Sequence, residues 1–409
     1  MIMSDFLHEA RERGFIHQCT NEESLATALK EQTITAYCGF DATSTSLQVG
    51  NLVAIMFLRL LRKYGHKPIV LIGGATTKIG DPSGKDESRP TMTEEQLSQN
   101  IAGIRPSFER FFDFSDNQAM LVNNDEWLAP LTYINFLQKI GPHFSINRML
   151  GFDSVRKRLE REQNLTFLEF NYMIFQAYDF LELYKRYGCV LQLGGSDQWG
   201  NIVNGVELVR KVLGKTVYGL TAPLITTSSG AKMGKTAQGA VWLNGNRLSP
   251  YEYWQYWRNT HDLDVVRYFK LFTDLPLHGI VRFEKIQGSE LNKIKKLLAD
   301  EMTKLAHDLE CLGAIHETVK TLFENGEGGE VHLLECVVED IPKSGISVFD
   351  LFVRTKLASS KSDARRLMMG GGLRVNDEPL ANEAFYTKAQ FPLKLSAGKK
   401  RHALVVEKQ

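Results

Sequence analysis

Four clusters of glycine and polar residues have compositions that could bind a charged ligand. The first covers residues 37–51, where small hydroxyl side chains and two glycines precede an apolar helical pattern that begins at Leu52. The first N–H groups of a helix and its dipole attract anions, and phosphate is the natural ligand. An ordinary turn, with Ser and Thr capping the helix, explains this segment equally well.

Two further clusters combine glycine with basic residues. Residues 73–89 hold four glycines, together with Lys85 and Arg89, which can reach phosphate oxygens, and Asp81, which can pair with an ammonium group. Residues 230–236 read Gly-Ala-Lys-Met-Gly-Lys-Thr and combine lysines with glycines in the same way. Three residues separate these glycines where the P-loop needs four, so a P-loop is a weak interpretation. A flexible solvated loop is the alternative for the cluster at 73–89.

The fourth cluster lies in a long helical pattern. Tyr172, Gln176 and Asp179 follow one another at i, i+4 and i+7, which places them on one helix face. Apolar side chains cover most of the remaining circumference, so this helix is expected to be buried. A polar stripe on a buried helix needs partners, which are either other side chains or a ligand. The segment 194–200 follows a predicted strand at the place where a parallel sheet binds ligands.

Strands and helices alternate from residue 34 to about residue 227 and must position these clusters. Apolar runs predict strands at 34–38, 68–72, 119–122 and 189–193, with helices over 52–64 and 165–187 between them. This alternation predicts an α/β fold with a parallel sheet, whose ligands lie beyond the carboxyl ends of the strands. The loops after Cys38, Ile72 and Leu193 are therefore the expected functional loops.

The remaining chain predicts smaller modules. Ser249, Pro250 and Glu252 form a strong helix start, and apolar residues then recur at helical spacing to about residue 323. The glycine-rich segment 325–330 predicts a linker, and helix and strand patterns resume after Ser347. The predicted division is residues 1–228, 229–324, a linker over 325–345, and 346–409.

The composition argues against a disordered, collagen-like or low-complexity chain, and the charge distribution indicates a partner. The 409 residues are 43% hydrophobic and 24% charged, as in ordinary globular proteins. The formal net charge is +1, yet residues 343–409 carry thirteen basic and six acidic side chains, which leaves +7 on this tail and −6 on the rest. A basic module on a mildly acidic body indicates a polyanionic partner for the tail.

The cysteines indicate a reducing compartment, and the hydropathy pattern argues against a membrane span. The five cysteines are scattered and include no Cys-x-x-Cys pair, which disfavours both a disulfide framework and a structural zinc site. No apolar stretch approaches the ~18 residues that a transmembrane helix needs. We expect a cytoplasmic protein that does not enter a membrane.

Taken in order, these motifs resemble those of the bacterial-type tyrosyl-tRNA synthetases, which are class I aminoacyl-tRNA synthetases. The resemblance covers essentially the whole chain. It rests on Tyr-Cys-Gly-Phe-Asp at 37–41, Gly-Asp-Pro-Ser-Gly-Lys at 80–85, Gly-Gly-Ser-Asp-Gln-Trp-Gly-Asn at 194–201, and the lysine loop at 230–236. It implies a Rossmann-like catalytic domain with a parallel sheet, a helical anticodon-side domain, and a small α+β RNA-binding domain of the ribosomal protein S-four type.

The resemblance also implies roles for individual residues. Tyr37 and Asp179 would bind the phenol of tyrosine, Tyr172, Gln176 and Asp81 its ammonium group, and Gln198 would lie near its carboxylate. The implied ATP-binding residues are Cys38, Gly39, Asp41, Gly50, Gly195, Asp197 and Lys235. The implied catalytic residues are Thr43, Gln48, Asn51, Lys85, Arg89, Lys232, Lys235 and Thr236, with no protein-bound metal. In the tail, Lys361, Arg365, Arg366 and Arg374 would contact RNA.

The implied reaction joins L-tyrosine to ATP as tyrosyl-adenylate, releases pyrophosphate, and then transfers tyrosine to the 3′ end of tRNA(Tyr). A carboxylate is already a nucleophile, so the first step needs alignment and charge neutralisation, with Mg²⁺ accompanying the nucleotide. Members of the family work as dimers, and the apolar stretch 127–140 with the helix beyond it could supply the interface.

One departure from the family pattern leaves an alternative open. The usual signature is His-x-Gly-His, whereas this chain has Gln48 and Asn51 in place of the two histidines. A neutral amide can donate to a phosphate but carries no positive charge. We expect a slower activation step, and the alternative is a catalytically weakened, synthetase-like RNA-binding or splicing scaffold. A nucleotide-dependent phosphotransferase is a third interpretation that rests on the lysine loop alone.

Overall fold

A computed structural model gives the fold of the chain. It describes residues 5–83, 92–115, 117–228, 230, 233–236, 239–323, 332–338, 345–355, 357–376, 378–387, 390, 393–398 and 401–407. These residues form two compact units, each continued by a segment from elsewhere in the chain. The first comprises residues 1–248 with 260–307, and the second comprises 249–259 with 308–409.

The first unit is built on a six-stranded sheet. Its strands are β1 Gln18–Cys19, β2 Thr35–Asp41, β3 Lys67–Gly73, β4 Met120–Asn123, β5 Cys189–Gly195 and β6 Tyr218–Ala222. The strand order is β1-β6-β5-β2-β3-β4, and every neighbouring pair is parallel except the antiparallel pair of β1 with β6. A short antiparallel ribbon follows, formed by β7 Lys235–Thr236 and β8 Gly239–Ala240. The predicted α/β fold with a parallel sheet is confirmed.

Helices connect the strands and continue through the rest of the chain. Among the described residues they are α1 Asp5–Arg13, α2 Glu22–Glu31, α3 Leu52–Lys63, α4 Gly74–Ile79, α5 Glu94–Phe111, α6 Asp125–Leu128, α7 Tyr133–Lys139, α8 Ile146–Leu150, α9 Asp153–Glu160, α10 Phe167–Tyr187, α11 Trp199–Leu213, α12 Pro250–Arg258, α13 Val265–Phe272, α14 Leu277–Ile280, α15 Ser289–Ala306, α16 Glu310–Phe323, α17 Val348–Arg354 and α18 Lys361–Met369. In the part of the chain that the structure describes, no helix combines the length and apolarity that crossing a membrane requires.

Local sequence explains where the long helix α10 begins and ends. The Thr166 hydroxyl accepts a hydrogen bond from the Glu169 N–H at 3.2 Å, and the Glu169 carboxylate accepts one from the Thr166 N–H at 3.1 Å. This reciprocal capping box satisfies two N–H groups that the helix leaves unpaired. Gly188 ends the helix in the left-handed conformation, with φ of 60°, which a glycine adopts at little cost.

The core of the first unit lies between the sheet and helix α10. Tyr37 and Ile69 from the sheet pack with Met173, Ala177 and Phe180 from α10 in one buried cluster. Burying a side chain of the size of Phe180 contributes about 1.5–3 kcal/mol. The polar face of α10 is thereby held against the carboxyl ends of the strands, as its residue spacing predicted.

A buried arginine ties the N-terminal helix to a distant part of the same unit. Arg13 of α1 donates hydrogen bonds to the carbonyl oxygens of Lys270, Thr273 and Leu275 at 2.8, 3.0 and 2.8 Å. Its Nε also donates to Glu9 at 2.6 Å. The carbonyls at the end of α13 have no partner within the helix, and the guanidinium supplies one.

The second unit has its own sheet and core. Its five-stranded sheet has the order β12-β11-β14-β15-β9, with β9 His332–Val338, β11 Leu373–Val375, β12 Glu378–Pro379, β14 Leu393–Ala397 and β15 Arg401–Glu407. A separate pair joins β10 Ile346–Ser347 to β13 Phe385–Tyr386. Helices α17 and α18 share one apolar core with this sheet. A small α+β module at the end of the chain is thus present.

The division into two units follows compactness and does not test the predicted functional boundaries. Those boundaries, at residues 228, 324 and 345, stay predictions. Within the predicted linker 325–345, residues 332–338 form β9, and residues 325–331 and 339–344 lie outside the described residues.

Candidate active site

Polar residues gather where the parallel strands β2, β3 and β5 end. Asp41 closes β2, Gly73 closes β3 and Gly195 closes β5. A Cβ atom at Gly73 would fall well inside van der Waals contact of the Asp41 carboxylate. Only glycine lets the two strand ends approach this closely, and the approach defines one wall of the site.

Tyr37 and Asp179 are buried together in this region. Tyr37 is 1% exposed and Asp179 is 2% exposed. The Tyr37 ring packs edge-on against Phe180, the neighbour of Asp179, with 5.3 Å between ring centroids. Burial raises the pKa of Tyr37, and the negative charge of Asp179 raises it further. The Tyr37 hydroxyl makes no hydrogen bond with any described residue.

Two side chains from the segment after β4 hold the Asp179 carboxylate. Trp127 Nε1 donates to one carboxylate oxygen at 2.7 Å, and Asn124 Nδ2 donates to the other at 3.0 Å. Burial raises the pKa of Asp179 from 3.8 to about 7, although both hydrogen bonds act in the opposite direction. The carboxylate is therefore fixed in orientation and close to its titration point at neutral pH.

Asp41 continues this hydrogen-bond chain toward the second end of the pocket. Asn124 Nδ2 donates to Thr76 Oγ1 at 3.0 Å, and Thr76 in turn donates to Asp41 at 2.9 Å. The Tyr172 hydroxyl donates to the other Asp41 oxygen at 3.0 Å. Burial raises the pKa of Tyr172, and the negative charges of Asp41 and Asp81 add to this effect. The pocket therefore has a negative potential where Tyr172 lies.

A second group of hydrogen bonds joins Asp81, Gln198 and Gln176. Gln198 Nε2 donates to Asp81 at 2.8 Å, and the Ser83 N–H donates to the other Asp81 oxygen at 2.9 Å. Asn201 Nδ2 lies between the glutamines, at 3.0 Å from Gln176 Oε1 and 3.2 Å from Gln198 Oε1. Asp81 and Gln198 thus contact each other directly, and Asn201 links them to Gln176.

The segment after β2 forms a loop bounded by main-chain contacts. The Thr77 hydroxyl accepts from the Ala42 N–H at 2.8 Å, and the Gln48 N–H donates to Asn51 Oδ1 at 2.9 Å. Residues Val49–Asn51 make one turn of 3₁₀ helix that leads directly into α3. Thr43 and Gly50 are exposed beside it. The helix start predicted as an anion site is therefore present.

Three of the residues that the resemblance assigns to ATP binding lie on or just after the neighbouring strands. Cys38 and Gly39 lie on β2, and Asp197 lies in the 3₁₀ turn Ser196–Gln198 after β5. Burial raises the pKa of the Cys38 thiol to about 12, so it stays a neutral donor at pH 7. Gly39 is exposed on the same strand.

Gly234 of the lysine loop packs closely against the signature loop, which comprises residues 42–51 between β2 and α3. Gly234 has φ of 82°, and a Cβ there would lie 2.9 Å from Val49 Cγ2 and 3.2 Å from the Gly50 nitrogen. Lys235 and Thr236 follow in β7, and their side chains are not among the described groups. Lys85, Arg89 and Lys232 lie outside the described residues. Their predicted roles stay predictions.

Sequence reasoning missed four residues that complete the site. Thr76, Asn124 and Trp127 hold Asp41 and Asp179, and Asn201 bridges the two glutamines. Asn124 is fully buried, which for an amide requires partners. The available signal was their position after β3, β4 and β5, since parallel strands end at one edge.

Comparison with known proteins identifies the family. The family model "tRNA synthetases class I (W and Y)" matches residues 29–324. Curated proteins named tyrosine–tRNA ligase are 54% identical in Zymomonas mobilis, with 98% of each chain covered, and 53% identical in Rickettsia bellii, with 98% of this chain and 99% of the relative covered. The chain belongs to the bacterial-type tyrosyl-tRNA synthetases.

Solved structures of tyrosyl-tRNA synthetases agree with this assignment. The C-terminally truncated mitochondrial enzyme of Aspergillus nidulans is 30% identical with a TM-score of 0.70, and the match covers 78% of this chain and 94% of that one. The Archaeoglobus fulgidus enzyme complexed with L-tyrosine has a TM-score of 0.52 at 19% identity, which shows a shared fold. The predicted family and fold class are confirmed, and the scaffold alternative is not favoured.

Proposed function

We propose that the chain is a tyrosine–tRNA ligase that activates L-tyrosine with ATP and then charges tRNA(Tyr). One observation carries the choice of amino acid. A buried tyrosine hydroxyl without a hydrogen-bond partner lies in the same pocket as a buried carboxylate, at Tyr37 and Asp179. A substrate phenol donates one hydrogen bond and accepts another, so it satisfies both groups. Phenylalanine would leave the Tyr37 hydroxyl unpaired, at the desolvation cost of a buried polar group, and would give Asp179 no donor beyond Trp127 and Asn124.

The charge of the pocket orients the substrate. The negative charges of Asp41, Asp81 and Asp179 act on Tyr172. They favour a cation beside the Tyr172 hydroxyl. The substrate ammonium group fits there, with Tyr172, Gln176 and Asp81 as its partners. Gln198 then lies on the side of the substrate carboxylate. This orientation directs the carboxylate toward the signature loop, where ATP is expected.

The activation step needs alignment and charge neutralisation. The tyrosine carboxylate attacks the α-phosphorus of ATP, and pyrophosphate leaves with the bonding electrons. We assign the phosphates to Thr43, Gln48, Asn51 and the Gly50 backbone, together with Lys85, Arg89, Lys232, Lys235 and Thr236. The ribose is assigned to Cys38, Gly195 and Asp197, and Gly39 and Asp41 are assigned to the remaining ATP contacts. Such donors stabilise the charge that develops on the leaving phosphates.

The metal is assigned to the nucleotide rather than to the protein. Among the described residues, no group of three His, Cys, Asp or Glu side chains is placed to hold a metal ion. The Asp41 and Asp81 carboxylates already accept hydrogen bonds from protein donors. Mg²⁺ commonly binds through substrate phosphates and water, and it would supply further charge neutralisation.

The basic module at the end of the chain is assigned to tRNA. Lys361, Arg365 and Arg366 lie on α18 with side chains 59, 53 and 81% exposed, and Arg374 follows on β11. Their acidic neighbours Asp350, Glu383 and Asp363 form only surface ion pairs, which are weak and can exchange for phosphates. Replacing Arg366 with Ala should weaken tRNA binding and reduce its salt dependence, whereas Lys293→Ala should not.

A second copy of the chain is the partner we assign to an apolar surface. Exposed side chains on α7, α8 and α10 include Tyr133, Ile134, Ile146 and Phe167, each at least 60% exposed. Large apolar residues grouped in this way mark an interface. Sedimentation should give a dimer for the wild type and a monomer for Ile134→Asp. Leu263→Asp, at a leucine elsewhere that is 77% exposed, should stay dimeric.

Tyrosine-dependent exchange of pyrophosphate into ATP tests the ligase proposal. We expect exchange with L-tyrosine and none above background with L-phenylalanine, followed by charging of tRNA(Tyr). Binding of structured RNA without any exchange would instead support the scaffold alternative. The cytoplasm is the proposed compartment, in keeping with the free thiols of Cys19, Cys38, Cys189 and Cys311.

A further inference from the structure

The segment that follows the lysine loop runs beside the signature loop. The Val49 N–H donates to the Val241 carbonyl at 3.0 Å, and the Leu243 N–H donates to the Leu47 carbonyl at 2.9 Å. Between them Gln48 and Trp242 form an antiparallel bridge. The signature loop therefore has a main-chain partner that is remote in sequence.

Asn244 lies at the end of this pairing and makes four hydrogen bonds through its side chain and its backbone N–H. Its Nδ2 donates to the carbonyl oxygens of Thr45 and Gly103 at 3.1 and 2.8 Å. Its Oδ1 accepts from the Ser107 hydroxyl, and its backbone N–H donates to Ser46 Oγ at 3.1 Å. Both donors of the amide are used on main-chain carbonyls, so its orientation is fixed.

Helix α5 also packs directly against the segment that contains Thr45. A Cβ at Gly103 would overlap the main chain of Thr45, so the helix backbone touches the loop backbone directly. Asn100, also on α5, donates through Nδ2 to the Ala42 carbonyl at 2.9 Å. Thr45 therefore contacts both α5 and Asn244, and Ser46 contacts Asn244.

We propose that Asn244 is a positioning residue for the ATP triphosphate. Thr45 and Ser46 lie between Thr43 and Gln48, which are the phosphate partners assigned above, so the inference rests on the proposed function. Displacing Thr45 would displace both partners together. Asn244 makes no contact with Tyr37 or Asp179 among its hydrogen bonds, so it acts on the nucleotide and not on the amino acid.

The same residue links the two loops that surround the phosphates. Asn244 comes eight residues after Thr236, the last residue of the lysine loop, and its segment pairs with the signature loop. One anchor thus sets the separation between a loop that binds phosphate through its backbone and a loop that carries lysines. In-line attack on the α-phosphorus depends on that separation, because small displacements of bound groups slow such reactions strongly.

Two substitutions test the contacts of Thr45, one at Asn244 and one at Gly103. Asn244→Ala removes the amide that holds Thr45, and Gly103→Ala inserts a methyl group against the Thr45 main chain. Single-turnover adenylate formation should show the rate falling and the KM for ATP rising, each by about tenfold. The Kd of tyrosine, measured by equilibrium dialysis, should stay within about twofold of wild type, since the Tyr37 pocket is untouched. Ser107→Ala, which loses one of the four hydrogen bonds, should give a smaller change of the same kind.

A matched control separates positioning from general stability. Asn21 caps helix α2 by accepting from the Ser24 N–H at 3.0 Å, is exposed, and takes no part in the hydrogen bonds described above for the site. Asn21→Ala should lower Tm as Asn244→Ala does, with the ATP parameters unchanged.

Two results would overturn the proposal. One is that Asn244→Ala lowers Tm but matches Asn21→Ala in its kinetics. The other is that Asn244→Ala raises the Kd of tyrosine and the KM for ATP equally. A wild-type protein without tyrosine-dependent exchange would instead defeat the proposed function.

Discussion

The proposed pocket for the amino acid and the proposed loop for the phosphates lie at one edge of the same sheet, yet they are built differently. The amino-acid pocket uses buried side chains, with Asp179 held by Trp127 and Asn124 and the Tyr37 hydroxyl left without a partner. The phosphate loop uses main-chain groups and exposed residues such as Thr43 and Gly50. Side-chain recognition thus lies in the interior, and backbone recognition lies at the surface.

This difference separates selectivity from rate. A buried polar group has already lost its water, so it strongly penalises any ligand that fails to pair with it. Phosphate oxygens are met by several donors at once, and the loss of one is shared among the rest. We therefore expect that replacing both signature histidines, as at Gln48 and Asn51, costs less activity than a change at Asp179.

The largest expected effect is at Asp179. Replacing it with Asn removes the charge that the phenol donates to and turns one oxygen into a donor that faces Trp127 or Asn124. The kcat/KM for tyrosine in pyrophosphate exchange should fall on the order of 10³-fold. Glu182→Gln, at a carboxylate three residues along the same helix that pairs with Lys185 and Arg186, serves as the control and should stay near wild type. Equal losses in both variants would contradict the assignment of the phenol.

Next comes the pH dependence of tyrosine binding. Burial raises the pKa of Asp179 to about 7, and the phenol needs the ionised carboxylate. The KM for tyrosine should fall about tenfold from pH 6 to pH 8, as the ionised fraction rises. The dependence should disappear in Asp179→Asn.

The stability of the free protein should change in the opposite direction. The folded pKa lies above the unfolded value of 3.8, so the folded state holds the extra proton. The contribution of Asp179 to stability is complete below about pH 4 and is lost as pH rises toward 7. Urea unfolding with and without tyrosine, at several pH values, would measure this contribution.

A smaller change in activity is expected at Tyr37. Tyr37→Phe removes a hydroxyl that has no protein partner, so no other described group loses a hydrogen bond. The kcat/KM for tyrosine should fall by about fivefold, and discrimination against phenylalanine should weaken by a similar factor. Tm should stay equal or rise. A clear loss of Tm would show that the hydroxyl contributes to the unliganded fold.

The smallest effect is expected on the phosphate side. Gln48→His restores a side chain that can carry positive charge, and activation at saturating tyrosine should accelerate by about threefold. The gain should be larger at pH 6 than at pH 8, because histidine is charged below its usual pKa of about 6.5. The Kd of tyrosine should not change. A pH-independent gain would mean that shape, and not charge, limits Gln48.

Most of the fold followed from local patterns in the sequence. The apolar runs that predict β2, β3, β4 and β5 are confirmed within two or three residues, because strands buried on both faces are continuously apolar. The starts of α12 and α10 follow from capping residues. The predictions did not include β1, whose two residues carry no pattern, or the pairing of β9 with β15, which joins segments more than sixty residues apart.

The site was predictable only where the sequence gathers its residues. Tyr172, Gln176 and Asp179 share a helix face, so their grouping is visible in the spacing. Asn124 and Thr76 each follow a separate strand beside a polar neighbour, and nothing local shows that the two side chains meet. Their contact depends on β3 and β4 being neighbours in the sheet, which is a property of the whole fold.

The anchoring of Arg13 has a consequence for how the chain acquires its fold during synthesis. Arg13 is 4% exposed, and the carbonyl of Leu275 that it binds lies 262 residues further along the chain. At the usual elongation speed of 5–20 residues per second, this partner emerges about 13–52 s after the arginine itself. For most of that interval the guanidinium has none of its three carbonyl partners, so this contact of the first helix forms only after most of its unit has been synthesised.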